Sequence, residues 1–216
     1  MVLYDFEESG GDTVNDVSGV GSPLNLTIQN TNKVSRPAGA LSVNSSTIIK
    51  SDGPASKVID SLRATNEITI EAWVNPANTT QDGPSRIVTL SANTSVRNFT
   101  LGQENNAYDI RLRTTSTSPN GTPSLRTPNG ALTTQLTHVV YTRSHSSGVT
   151  RAYINGVLVK TGNAPSSFSN WDQSFRLALA NELTLNRTWL GELHLVAIYD
   201  RDLTPSEVIQ NFNAGP

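Results

Sequence analysis

Two short alternating segments around an Asn-Gly dipeptide decide the architecture of this chain. Residues 150–162 read TRAYINGVLVKTG, and in Thr150–Ile154 and Val157–Thr161 apolar and polar side chains alternate. This period of two predicts strands. Asn155-Gly156 between them predicts a tight turn, because a type I′ turn needs positive φ at both central residues. The stretch therefore predicts a β-hairpin.

The same alternation recurs along the chain. Clear strands are predicted at Glu67–Val74, Arg86–Ser91, Asn98–Gly102, Tyr108–Thr114, His138–Arg143, Phe175–Ala180 and Trp189–Tyr199. Weaker strands are predicted at Val2–Phe6, Leu24–Ile28, Ala40–Val43 and Thr47–Lys50. About a dozen strands are too many for one flat sheet, so we predict an all-β, two-sheet antiparallel sandwich.

One segment has a helical signature. Thr204 is placed as the N-cap, Pro205 as the first helical residue and Glu207 as the third residue of a capping box. We predict a single short helix at 205–212, near the C-terminus.

Composition agrees with a β-rich domain and excludes several functions. Ser, Thr and Asn make up 70 of the 216 residues, there is no Cys, and the formal net charge is −2. This balance argues against a nucleic-acid partner, and no apolar run is long enough for a membrane span. The chain opens directly on a predicted strand, so we expect one domain, residues 1–216, cut from a longer protein. A free-standing cytoplasmic protein is the alternative, and the oligomeric state is not determined by the sequence.

Four segments, in this order along the chain, carry a family resemblance. They read LYDFEESGGDTVNDVSG (3–19), EITIEAWVNP (67–76), THVVYTRS continuing into TRAYINGVLVKTG (137–162), and WLGELHLVAIYDRDLTPSEVIQNF (189–212). Together they resemble a bacterial laminin-G-like domain of the concanavalin A-like lectin/glucanase superfamily. The resemblance implies a jelly roll with one convex and one concave sheet. It also implies a usually non-catalytic module of larger extracellular or cell-surface proteins.

The motifs of the enzymes on this fold are missing. Retaining glycosidases hold two carboxylates about 5–5.5 Å apart, whereas Glu67 and Glu71 are four residues apart on a strand, roughly 13 Å. Neither a Glu-x-Asp-x-x-Glu signature nor a Gly-x-Ser-x-Gly elbow occurs. The three His residues lack metal-ligand spacing. We therefore predict that the protein is not an enzyme.

A candidate ligand groove follows from the period of two. The pattern places Glu71 and Trp73 on the outside of one strand and Asp109 and Arg111 on the outside of another. By resemblance, His138 also faces outward. If these strands share the concave sheet, all five side chains line one polar groove. The alternative is a solvated face of cross-strand pairs, with Trp73 packed under loops.

The acidic N-terminal loop predicts a structural calcium site. Calcium needs six to eight oxygen ligands, and the resemblance places them at Asp5, in the Asp16–Gly19 loop and on the last strand. That strand carries His194 where the family usually has an acid, so Glu192 is the substitute. The alternative is a solvated loop that makes Asx turns.

These observations leave three functions open. The leading hypothesis is an extracellular module that binds a glycan; the second is a structural or adhesive spacer that contacts protein; the third is a hydrolase or lyase. A sugar binder is expected to expose an aromatic ring beside polar groups, and a spacer is not. Trp171, flanked by small polar residues, is the expected exposed ring, with burial under its loop as the alternative.

Overall fold

The computed structural model describes Met1–Pro216 and contains sixteen strands and two α-helices. The strands are β1 Val2–Tyr4, β2 Thr13–Val14, β3 Leu26–Ile28, β4 Val34–Ser35, β5 Leu41–Val43, β6 Ile49–Ser51, β7 Ile68–Pro76, β8 Ser85–Asn93, β9 Val96–Glu104, β10 Ala107–Leu112, β11 Leu125–Arg126, β12 Thr137–Arg143, β13 Val149–Ile154, β14 Val157–Asn163, β15 Arg176–Leu179 and β16 Gly191–Tyr199. The helices are α1 Ser56–Thr65 and α2 Pro205–Ala214.

The strands form two antiparallel sheets of eight strands each. The first sheet has the order β14-β13-β12-β7-β16-β5-β4, and β1 also pairs with β16. The second has the order β11-β10-β9-β8-β15-β6-β3-β2. Asn155 and Gly156 join β13 to β14 with φ of 51° and 76°, as a type I′ turn requires. The predicted two-sheet sandwich is confirmed.

One hydrophobic core fills the space between the sheets. It contains 41 buried residues, drawn from the alternate apolar positions of the strands and from α1. On β7 these positions are Ile68, Ile70, Ala72 and Val74, as the alternation predicts. Every second side chain of a strand therefore points away from the core, toward the outer face of its sheet.

The helices differ in how well the sequence predicts them. At α2, Thr204 accepts from the Glu207 backbone and Glu207 bonds back, so the predicted capping box is confirmed. No helix is predicted at α1, whose N-cap Ala55 makes no side-chain hydrogen bond. Neither helix is long and apolar enough to cross a bilayer.

Candidate functional site

The five side chains predicted to line one groove lie on two different sheets. Glu71 on β7 and His138 on β12 belong to the first sheet, as does Trp73, whose register partner is His138. Asp109 and Arg111 lie on β10 of the second sheet. The prediction of a single groove is therefore wrong. The period of two places a side chain on the outside of its own sheet, but it does not say which sheet a strand joins.

The outer face of the first sheet at these residues is covered by α2. Phe212 of α2 stacks on Trp73 with ring centroids 5.8 Å apart, and Trp73 stacks on His138 at 4.8 Å. Beneath them the Glu71 carboxylate accepts hydrogen bonds from Tyr199 (2.9 Å) and Asn211 (2.8 Å) and lies 2.8 Å from His138 Nε2. These contacts hold α2 against the outer face of the first sheet, and the indole ring of Trp73 is not exposed to solvent.

No aromatic ring of the chain is fully exposed. Trp73 is 6% exposed, Trp171 3% and Trp189 0%. The indole of Trp171 stacks on Phe168 at 4.5 Å and donates to the Arg113 carbonyl. The expectation that Trp171 is an exposed ring is therefore wrong, and its stated alternative, burial under the loop, is confirmed. Tyr199 and Phe212 are half-buried, and every other Trp, Tyr and Phe ring is buried. By the criterion of an exposed aromatic ring the chain resembles a spacer more than a sugar binder, so carbohydrate binding would have to rest on polar, charged and aliphatic groups.

The outer face of the second sheet differs from that of the first sheet, because many of its side chains are charged. Its outward positions alternate with core residues such as Leu90, Leu101 and Ile110. We call it the basic face, defined by Lys50, Arg86, Arg97, Arg111 and Arg176 with the acids Asp109 and Glu182. Arg126 on β11 and Glu104 on β9 also lie on this face, in a chain whose net charge is −2.

Arg111 and Asp109 form the part of this face that the sequence located. Arg111 Nε donates to Asp109 at 2.7 Å, and its Nη1 donates to Asn120 at 3.2 Å. The other carboxylate oxygen of Asp109 accepts from Ser124 at 2.5 Å. The Arg111 side chain remains 19% exposed, so a guanidinium held in a fixed direction reaches solvent.

A fully buried ion pair supports the centre of the basic face. Arg86 Nε lies 3.0 Å from the Glu182 carboxylate, which also accepts from Ser91 at 2.5 Å. Burial lowers the pKa of Arg86, and Glu182 opposes that shift. Burial, followed by the nearby charges of Arg86 and Arg111, lowers the pKa of Arg97. Arg86 and Arg97 are fully buried, so of these three arginines only Arg111 reaches solvent.

The predicted calcium ligands do not form a ligand set. The Asp16 carboxylate accepts from the backbone amides of Leu3, Ser18 and Leu24 and lies 2.5 Å from Lys57 Nζ. Its oxygens are thus occupied by donors, and Lys57 already supplies the positive charge. Glu192 instead contacts Asn75 and His194.

The other two predicted ligands are no better placed for a metal. The Asp5 carboxylate accepts from the amide of Glu7 at 3.4 Å, and Gly19 lies in an exposed turn with φ of 65°. No three acidic or His side chains gather as a cation would require. The residues present do not fit a calcium site of the predicted kind, and a chelation experiment tests whether calcium stabilises the protein.

The sequence comparison identifies the family. Residues 50–209 match the laminin G family described as the concanavalin A-like lectin/glucanases superfamily. The chain belongs to that superfamily. The search of curated proteins gave no match.

Solved structures with the same fold include binding domains of botulinum neurotoxins. The binding domain of botulinum neurotoxin DC in complex with rat synaptotagmin II has 16% identity and a TM-score of 0.69, over 99% of this chain and 51% of that one. The serotype D ligand-binding domain in complex with N-acetylneuraminic acid has 12% identity and a TM-score of 0.63, over 100% and 50%. At such identities the likeness shows the fold. The chain spans about half the length of these neighbours, so their ligands belong to larger proteins.

Most of the basic face lies outside the site predicted from the sequence, which does not include Lys50, Arg86, Arg97, Arg176 or Glu182. The period of two that located Asp109 and Arg111 also applies to two of these residues. Lys50 follows the core residue Ile49, and Arg176 precedes the core residue Leu177, so the alternation places both on the outer face. The pairing of β6 with β15, in which Lys50 lies opposite Ala178, 128 positions further along the chain, has no such local signal.

Proposed function

We propose that this protein is a non-catalytic recognition module that binds carbohydrate through the basic face, and that it acts outside the cell or on its surface. The observation that carries the proposal is a set of three half-buried cations, Lys50, Arg111 and Arg176, on the outer face of the second sheet of a lectin-superfamily fold. The superfamily match and the binding domains among its structural neighbours support the same function.

The basic face has the chemistry that hydroxyl-rich ligands need. Guanidinium groups donate in fixed directions, and carboxylates and hydroxyls accept. Arg111 is partly exposed, and Asp109 and Asn120 fix its direction, whereas Thr89 and Thr100 are fully buried. A ligand site on a rigid sheet loses little conformational entropy on binding, which favours recognition of a flexible sugar.

The carboxylates of this face support a binding role over a catalytic one. A glycosidase needs one carboxyl group free to protonate the leaving oxygen. Asp109 and Glu182 each form an ion pair with an arginine, and Glu71 lies on the other sheet under α2. The proposal is therefore that the domain holds a glycan without cleaving it.

A glycan panel tests the proposal. The domain is screened against neutral and acidic oligosaccharides, and each hit is measured by titration with wild type, Arg111→Ala and the matched control Arg151→Ala. Arg151 is a half-buried arginine on β13 of the first sheet. We expect Arg111→Ala to weaken binding by about ten- to hundredfold, since a charge-assisted hydrogen bond contributes about 1.5–3 kcal/mol. Arg151→Ala is expected to bind like wild type.

Two results contradict the proposal. One is the lack of any glycan bound at millimolar concentration. The other is a glycan whose affinity falls with Arg151→Ala and not with Arg111→Ala, which would place the site on the first sheet. Release of reducing ends from a bound glycan would overturn the non-catalytic part.

Protein contact is the second candidate function, and one feature favours it. Strand β14 lies at the edge of the first sheet with Val157 63% and Leu158 49% exposed. Exposed apolar edge strands offer unpaired backbone groups to another chain. Size-exclusion chromatography of wild type beside Leu158→Lys tests this candidate, which predicts a loss of self-association or partner binding in the variant.

A further inference from the structure

A small cavity opens on the basic face between strand residues and the loop that follows β15. It has a volume of about 240 Å³ and is lined by Gln29, Ile48, Lys50, Arg176, Leu183 and Leu185. No acidic residue lines it. Lys50 pairs in register with Ala178, two residues after Arg176 on the same face, so the two cations are diagonal neighbours.

The two cations of the cavity differ from Arg86 and Arg111 on the same face. Arg86 and Arg111 each have a carboxylate partner. Lys50 and Arg176 take part in none of the ion pairs of the structure and make no side-chain hydrogen bond. Both side chains are half-buried. Two unpaired positive charges side by side repel each other, and a bound anion removes that repulsion.

The rest of the lining suits a sugar ring that carries the anion. Leu185 is 52% exposed and Leu183 is half-buried, so the loop provides an aliphatic wall opposite the charged strands. The exposed amide of Gln29 can both donate and accept a hydrogen bond. Ligand sites typically combine apolar walls with a few fixed polar groups. The cavity is below the roughly 300–1,000 Å³ of drug-sized sites, which fits one charged sugar unit.

We propose that this cavity binds the carboxylate or sulfate group of an acidic saccharide, with Lys50 and Arg176 contacting the anion and Leu183 and Leu185 contacting the ring. The inference rests on the proposed carbohydrate binding and gives it a substrate class. The neighbouring carboxylate of Glu182 does not oppose the anion, because it is held by Arg86 and Ser91. Asp52, two residues beyond Lys50, accepts from Thr27 and does not line the cavity.

Titration with three matched trisaccharides tests this proposal. The probes are trigalacturonic acid, a sulfated trisaccharide and neutral maltotriose, and the two acidic probes separate carboxylate from sulfate recognition. We expect at least one acidic probe to bind more tightly than the neutral one, with an affinity that falls as salt rises. Lys50→Ala and Arg176→Ala are each expected to weaken that probe by about ten- to hundredfold.

Matched variants keep the test specific. Lys160→Ala and Arg151→Ala remove the same charges from the first sheet and are expected to leave binding unchanged. Melting temperatures close to wild type are expected for all four variants, because none of these side chains is fully buried.

The outcomes separate this inference from the proposed function. If maltotriose binds as well as the acidic probes, or if Lys50→Ala and Arg176→Ala bind acidic probes like wild type, the anion site is wrong while carbohydrate binding stands. If no probe and no glycan of the wider panel binds, both fail.

Discussion

Replacing Trp73 distinguishes a packing residue from a sugar platform. The indole is 6% exposed between His138 and Phe212, with ring centroids 4.8 and 5.8 Å away. Trp→Ala in such a position costs about 3–5 kcal/mol of unfolding free energy. At about 2–4 °C per kcal/mol for a domain of this size, we expect Trp73→Ala to lower the melting temperature by roughly 6–20 °C.

The same variant is expected to loosen α2 and to leave glycan affinity unchanged. Phe212 loses its stacking partner, so amide hydrogen exchange in α2 is expected to become faster. The basic face lies on the other sheet and keeps its geometry. Trp73→Phe is the matched control: Trp73 Nε1 has no hydrogen-bond partner, so the smaller ring costs packing only and lowers the melting temperature less.

One combination of results refutes this reasoning. If Trp73→Ala melts within a degree or two of wild type and loses most of its glycan affinity, then the ring is an exposed platform, and the binding surface lies on the first sheet.

Three further predictions concern stability. Burial raises the pKa of Asp16, but hydrogen bonds from Leu24, Lys57 and Ser18 outweigh it and lower the pKa to about 2. Its ionised form therefore stabilises the fold above its ordinary pKa near 4, and this contribution is lost as pH falls toward 2. Thermal melts from pH 5 to pH 2 are expected to decline less steeply in Asp16→Asn; equal slopes contradict the claim. Because Lys57 already neutralises Asp16, we expect EDTA to leave the melting temperature of calcium-loaded protein unchanged, whereas a fall of several degrees would reveal a calcium site. Thr204→Ala removes the N-cap of α2 and is expected to cost about 1 kcal/mol with faster amide exchange in its first turn; unchanged exchange would show that the cap does not hold this helix.

The fold could be predicted because its signals are local. Period-two alternation located the long strands, and Asn155-Gly156 located the hairpin that joins β13 to β14. The capping box located the start of α2. Helix α1 was missed because it lacks a side-chain N-cap, although Val58, Ile59 and Leu62 show helical spacing and are buried.

The candidate site could be predicted only in part, since it depends on contacts between distant segments. The alternation placed Trp73 on an outward face, the family resemblance placed His138 there too, and the register makes them direct partners. The alternation could not show that α2 packs over these two residues. The spacing of Val208 and Phe212, four residues apart on that helix, places two apolar side chains on one helix face. Whether Asp109 joins the same sheet is a matter of strand order, which no local pattern encodes.

The most direct test of the central claim is a two-dimensional NMR titration of the isotope-labelled domain with the tightest glycan from the panel. Carbohydrate recognition on the basic face predicts amide shifts that cluster on the second sheet around Lys50, Arg111 and Arg176, with none around Trp73 or α2. Shifts confined to the first sheet and α2, or no shifts at millimolar glycan, would contradict it.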